Sequence, residues 1–264
     1  MINWCFSTLG CTERSLDEAL DLAKRYGISN IEIRGIRGEL DNEKVADISE
    51  ENASHTVDAF ETSGITPLVL GTSVSFHDGK SFDKMLNEGK TALKIASRIG
   101  FRAIRVFGNS IVGNEAVCIC RVAKGIRELC LFAEDMGVSV WLETHGDFNT
   151  VERVMPIVEK CSDREEFGIV WDICHTHKPY GENWREFYDS LAPYIHHVHL
   201  KDVCNGKHVL LGKGELPIAE IVNHLISDGY SGCFSLEWER HWRKELTEIE
   251  YALDSLFLLF NVFH

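Results

Sequence analysis

One phrase recurs along this chain: a glycine, a short apolar or alternating run, a polar residue, and then a long amphipathic stretch. It is spelled Gly27-Ile-Ser-Asn-Ile-Glu-Ile, Gly64-Ile-Thr-Pro-Leu-Val-Leu, Gly100-Phe-Arg-Ala-Ile-Arg-Val and Gly137-Val-Ser-Val-Trp-Leu-Glu. The repeat of about 36 residues is the length of one strand–helix unit with its loops. Continuing the count predicts strands near 2–6, 30–34, 66–70, 102–107, 138–143, 167–172, 195–200 and 232–237, with helices between them. The glycines fit left-handed residues that close a helix and turn the chain into the next strand. Ser15-Leu-Asp-Glu reads as a capping box, and Leu16, Ala19, Leu20 and Ala23 then give the first helix one apolar face. Strictly alternating strands and helices imply a parallel sheet, and eight of them imply closure. The expected fold is therefore α/β, a single (β/α)8 TIM barrel spanning 1–264 as one domain.

The length of 264 residues suits that fold, and no Pro/Ser-rich linker or charge block marks a boundary. The closing helix is expected from about Lys244 to Phe260, with its run Leu256-Phe-Leu-Leu-Phe buried on the barrel. Trp171, Trp238 and Trp242 are read as core packing between barrel and helices, with walls of the pocket as the alternative. A formal charge of -14 repels a phosphate backbone, so nucleic acid is not an expected partner. No stretch reaches the ~18 apolar residues of a membrane span, and the start lacks a basic leader, which reads as cytoplasmic. Nine cysteines are scattered without a CxxC pair; Cys118 and Cys120 fall on different faces of a helix, so reduced, small apolar residues are expected. The sequence leaves the oligomeric state open and is compatible with a homo-oligomer.

In such a barrel, polar residues at the C-terminal ends of the strands face the active site. Four consecutive predicted strands end in Trp141-Leu142-Glu143, Val170-Trp171-Asp172, His197-Val198-His199 and Ser235-Leu236-Glu237. Alternation places Glu143 on one face with Trp141, Asp172 with Val170, His199 with His197, and Glu237 with Ser235. Should all four point inward, three carboxylates share a confined space and cannot all stay ionised without a cation or shared protons. Three carboxylates and an imidazole form a mostly hard O/N set suited to one divalent metal ion, Mn²⁺ first, with Mg²⁺, Co²⁺ and Zn²⁺ as alternatives. For any one of these residues, a solvated acid at a strand end is the plain alternative. His197, one layer deeper, is read as a hydrogen-bonded support.

Glu143-Thr-His, Trp171-Asp-Ile-Cys-His, His197-Val-His-Leu-Lys-Asp, Leu211-Gly-Lys-Gly-Glu and Ser235-Leu-Glu-Trp-Glu, in this order and spacing, resemble the sugar phosphate isomerase/epimerase family of xylose isomerase-like barrels. The resemblance extends to Phe6-Ser-Thr-Leu-Gly-Cys and the Gly27-to-Arg34 segment. It implies metal ligands Glu143, Asp172, His199 and Glu237, with Glu143 and Glu237 also catalytic. It implies that these two exchange a proton with the substrate through a metal-bound enediolate. It further implies that His175 hydrogen-bonds a substrate oxygen, an orienting role being the alternative. His145, Lys201 and His208 are candidate substrate contacts or loop residues. His208 and Asn149 stand where well-studied ketose epimerases carry an arginine and a further glutamate. Asn109 and Gly206 stand where the related three-zinc endonuclease places ligands.

The leading expectation is a metal-dependent isomerase or epimerase of a sugar, sugar acid or keto-polyol. A lyase on the same scaffold, of the inosose or dehydroshikimate dehydratase or 3-keto-glycoside type, shares the first proton abstraction. A non-catalytic sugar-binding barrel is the third reading. The partner in every case is a small carbohydrate-like molecule.

Overall fold

The computed structural model describes residues 2–260. Eight parallel strands close into a barrel: β1 (Trp4–Ser7), β2 (Asn30–Ile33), β3 (Thr66–Ser75), β4 (Ala103–Phe107), β5 (Ser139–Glu143), β6 (Phe167–Asp172), β7 (Ile195–Leu200) and, after a hairpin of β8 (Asp202–Cys204) and β9 (Lys207–Val209), β10 (Cys233–Leu236). β10 pairs with β1 and β7, which completes the ring. The helices between are α1 (Leu16–Arg25), α2 (Ala53–Ser63), α3 (Phe82–Ile99), α4 (Glu115–Ala133), α5 (Val151–Cys161), α6 (Ile173–Tyr180), α7 (Trp184–Leu191), α8 (Ile218–Ser227) and α9 (Ile249–Leu259). The fold is the predicted (β/α)8 barrel, and each of the eight expected strands is present.

Local chemistry accounts for the elements. Ser15 caps α1 on the Glu18 amide while the Glu18 side chain returns to the Ser15 amide. Gly64 and Gly100 end α2 and α3 with φ of 70° and 93°, a conformation that costs a residue with a Cβ. The expected third strand stops too early. β3 continues to Ser75, which pairs with Phe107 of β4; across the irregularity between Gly71 and Ser75, Thr72 Oγ1 donates to Arg105 O and Arg105 Nη1 returns a bond to Thr72 O.

Two cores result. The larger lies between helices and the outer face of the strands. The smaller, Cys5, Leu68, Val69, Ala103, Trp141, Val170 and Cys233, comes from strand residues and plugs the barrel below its mouth. Strand alternation then sets the next inward layer above that plug: Ser7, Glu32, Arg105, Glu143, Asp172, His199 and Ser235, all buried. The chain thus commits its polar layer to one end of the barrel, above an apolar floor.

Three expectations are corrected. α9 begins at Ile249, not Lys244, because the preceding segment crosses the barrel rim as a loop, tied by Trp238 Nε1 to Thr247 O. Within its apolar run Leu256 and Phe257 are buried but Leu258 is exposed, as is Tyr251 one heptad earlier. Trp171 and Trp238 are core residues, whereas Trp242 is 59% exposed on that rim loop, edge-on to His241. All nine cysteines are free, six of them buried, with Cys118 buried and Cys120 exposed as their helix faces require. Among the described residues no helix is long and apolar enough to cross a membrane.

Gly125 of α4 packs flat against the ring of the fully buried Phe76, where a Cβ would overlap it. Gly125→Val is expected to destabilise the barrel by about 1–3 kcal/mol through overpacking, read as a lower urea midpoint at unchanged m-value. An unchanged midpoint would show that the helix can back away.

Candidate metal centre

Glu143, Asp172, His199 and Glu237 meet at the barrel mouth. Each offers one ligand-type atom, the four atoms lie within 4.8 Å of one another, and all four residues are buried. Glu143 and Asp172 are the last residues of β5 and β6, His199 sits one residue before the end of β7, and Glu237 follows β10 directly. His199 Nδ1 lies 3.7 Å from Glu143 Oε1 and 3.5 Å from Glu237 Oε1. It is buried and, among the described residues, has no partner in hydrogen-bonding geometry.

The reason is on the other side of the ring. Glu32, inward-facing from β2, accepts from His199 Nε2 at 2.9 Å and from His197 Nε2 at 3.2 Å through a single oxygen, Oε2. Ser235 Oγ approaches the same oxygen at 3.5 Å. Burial opposes ionisation of Glu32, yet the two histidines outweigh it and hold its carboxyl far below the usual range. An ionised Glu32 keeps the proton of His199 on Nε2 and leaves Nδ1 turned toward the three acids. A carboxylate behind a histidine in this way orients a metal-ligating imidazole. His197 is thus the hydrogen-bonded support expected of it.

Lys201 is fully enclosed. Its Nζ lies 2.7 Å from Asp172 Oδ2, 2.6 Å from Glu237 Oε2 and 2.7 Å from Glu239 Oε1. Burial penalises the ammonium, but these three acids raise its pKa well above the usual value. On the opposite side Arg105 Nε lies 3.0 Å from Glu143 Oε2, and its guanidinium stacks on Phe107. The acids respond unequally. Burial would raise the pKa of Glu143, but Arg105 and His199 hold it well below the carboxylate range; burial does raise that of Glu237, with Lys201 opposing. Burial would make His199 less basic, yet Glu32, Glu237 and Glu143 together raise its pKa well above the usual value.

The other predicted contacts surround this centre. His175 opens α6 and donates its backbone N–H to Asp172 Oδ1 at 3.0 Å, capping that helix. His145 lies against it with ring centroids 4.1 Å apart, and burial lowers the His145 pKa to about 4, so its ring is neutral at pH 7. Asn149 Nδ2 donates to His175 O, a structural tie between the β5 and β6 loops. His208 stands on β9 with Nε2 3.7 Å from Glu239 Oε2.

A reading confined to strand ends gave no role to four groups: the buried Glu32, Arg105 and Asp202, and the half-buried Glu239. For the first two the signal was present, since an acid or arginine at an inward position between Ile31 and Ile33, or Ile104 and Val106, must find a partner inside the barrel. Asp202 accepts from the amides of Val203, Gly212, Gly214 and Leu216, which folds residues 202–216 over the mouth. The hairpin in that segment turns on Asn205-Gly206, both with positive φ, a strong hairpin signal in the sequence.

The donor set fits a hard divalent ion: three carboxylates, one orphaned imidazole nitrogen and a carboxylate to orient it. A model of the xylose isomerase-like TIM barrel family matches residues 20–258. The chain belongs to this family. Fructoselysine 3-epimerase of Escherichia coli O157:H7 is 29% identical over 126 residues, 44% of this chain and 44% of that protein, so the match spans less than half of the relative's length. The barrel superposes on IolI protein, solved with a bound zinc atom, with a TM-score of 0.79 at 21% identity over 98% of both chains. It superposes on the 3-keto-D-glucoside 4-epimerase of E. coli with a TM-score of 0.77 at 17% identity, covering 99% of this chain and 100% of the other. Family members and neighbours are thus enzymes, and their barrels share this architecture.

Lys201→Met would strand the buried carboxylates of Asp172 and Glu237 and the half-buried one of Glu239. Without added metal, it is expected to cost about 3–5 kcal/mol in urea unfolding at pH 7, as loss of one partner from a buried ion pair does. The deficit narrows near pH 5, where the stranded acids take up protons. A cost under about 1 kcal/mol at pH 7 would mean that Lys201 is not the counter-charge described.

Proposed function

We propose that this chain is a divalent-metal-dependent isomerase or epimerase of a sugar, sugar acid or keto-polyol. The observation that carries the reading is the buried His199 Nδ1, oriented by Glu32 and left unbonded among Glu143, Asp172 and Glu237. Those four side chains would hold the ion, Mn²⁺ by preference, with Mg²⁺, Co²⁺ or Zn²⁺ able to fill an O/N site of this kind. When bound, such an ion supplies Lewis acidity that steadies negative charge developing on a substrate oxygen.

The protein supplies the proton transfers. Glu143, kept ionised beside Arg105, takes the proton from the carbon next to the substrate carbonyl. Glu237, whose carboxyl burial makes readier to hold a proton, returns one from the other side of the centre, and the roles exchange in the reverse direction. Lys201 fixes the outer oxygens of Asp172 and Glu237, so neither acid swings out of line. His175 and His145, at the ends of β6 and β5, are placed to orient substrate hydroxyls, and Lys201 and His208 line the adjoining wall. Fructoselysine 3-epimerase, by its name, inverts a centre next to a ketone, and the same proton chemistry is proposed here on a substrate of related class.

Without an ion, Glu32, Glu237 and Glu143 raise the pKa of His199 well above the usual value, so metal uptake is expected to compete with a proton there. Metal affinity is expected to rise with pH across the range from 5 to 8, with proton release visible in calorimetry run in buffers of different ionisation enthalpy. Glu32→Gln is expected to weaken uptake about 10- to 100-fold while leaving the ligands in place. Pre-loaded with Mn²⁺ and supplied with candidate ketoses in deuterated water, the protein should exchange the proton beside the carbonyl. Exchange should disappear in Glu143→Gln and in Glu237→Gln; exchange that survives both changes contradicts the assignment. An enone absorbance accompanying proton loss, without isomerised product, would redirect the reading to a lyase.

A further inference from the structure

Glu32 shares its inward face with Arg34, two residues nearer the mouth. The Arg34 side chain is 95% buried, since its exposure is 5%. Its Nη1 donates to Leu40 O at 3.0 Å and its Nη2 to Ser73 Oγ at 2.8 Å, and no carboxylate pairs with it among the described residues. The one acid on its own strand, Glu32, is taken up by His197 and His199. A guanidinium this enclosed without a directly paired carboxylate is costly, and burial together with the neighbouring Arg105 lowers its pKa to about 10, against the more distant Glu32, Glu237 and Glu143.

The neighbour is close by construction. The β2–β3 register sets Glu32 against Val69 and Ile33 against Leu70, which aligns Arg34 with Gly71, and Gly71 pairs with Arg105 in β4. A Cβ on Gly71 would lie 2.7 Å from Arg34 Cδ and 3.2 Å from Arg105 Nη2. The absent side chain lets two arginine stems meet over β3. Arg105 sets Nε 3.0 Å from Glu143 Oε2 as an ion pair without a hydrogen bond and donates Nη1 to Thr72 O, while among the described residues its Nη2 and the Nε of Arg34 bond nothing. Like charges brought together in the polar layer of the barrel mouth, each with a donor to spare, fit the fork-like recognition of an anionic oxygen group.

We propose that Arg34 and Arg105, side by side over Gly71, form an anion subsite at the barrel mouth, so that the substrate is an acid, a sugar carboxylate or a sugar phosphate. The proposal deepens the isomerase reading and rests on it for the site's chemistry. Because Arg105 also touches Glu143, the anionic group sits within a guanidinium's width of the carboxylate that moves the proton. Arg34 is then a specificity-determining residue, selecting acidic over neutral sugars.

The test is calorimetric binding of fructuronate, fructose 6-phosphate and fructose, to metal-free and to Mn²⁺-loaded protein. At least one of the two anions should bind about 10-fold or more tighter than fructose, and which one does so tells carboxylate from phosphate. Arg34→Gln should bring that anion to within about 2-fold of fructose, and Arg34→Lys, which keeps the charge without the fork, should recover part of the preference. Unchanged Mn²⁺ uptake by both variants shows that the barrel is intact. Equal binding of all three ligands by the unaltered protein, or an anion preference that survives Arg34→Gln, overturns the proposal. Failure of Mn²⁺ uptake in the unaltered protein would sink the isomerase reading instead, while an anion preference lost in Arg34→Gln would still stand in metal-free protein.

Discussion

Carboxylates packed into a space with almost no solvent are the constraint around which this barrel is organised. Glu32, Glu143 and Asp172 share one layer of the mouth with Glu237 and Glu239 beyond it, and the structure answers each with a partner that also aims it. His197 and His199 answer Glu32, Arg105 answers Glu143, and Lys201 answers the other three. No one partner suffices for the centre of the cluster, where His199 Nδ1 faces two acids without bonding either. A proton on that nitrogen or a divalent ion beside it are two ways of satisfying the same surplus of negative charge.

The apolar plug beneath this layer matters as much as the charges. Trp141, Val170 and Cys233 lie two residues before Glu143, Asp172 and Ser235 respectively along their strands, so the alternation that seals the barrel floor also presents the polar layer above it. Low dielectric below and a hairpin above make each ion pair stronger and each unpaired group costlier. Asp202 contributes from outside the cluster: by collecting four backbone amides it holds the hairpin that carries His208 toward Glu239.

Much of this was legible in the sequence because a barrel imposes two periods at once. The recurring glycine phrase set the strands, and the last residues of four successive strands gave Glu143, Asp172, His199 and Glu237. What escaped notice lay inside strands or beyond their ends. Glu32 and Arg105 looked like ordinary members of a repeat because attention to strand ends ignores inward charges one layer down. Lys201 was read as a substrate contact, and the structure gives its three nearest acids as a further occupation for its charge. Trp242 could not be separated from Trp171 and Trp238 by composition, since exposure depends on the path of the rim loop.

The most direct test of the account is a crystal of Mn²⁺-soaked protein measured at the manganese absorption edge. The account predicts one anomalous peak per chain, about 2.0–2.3 Å from His199 Nδ1 and from an oxygen each of Glu143, Asp172 and Glu237. A map with no peak among these side chains, or with Lys201 Nζ filling that position while manganese binds elsewhere, would contradict it.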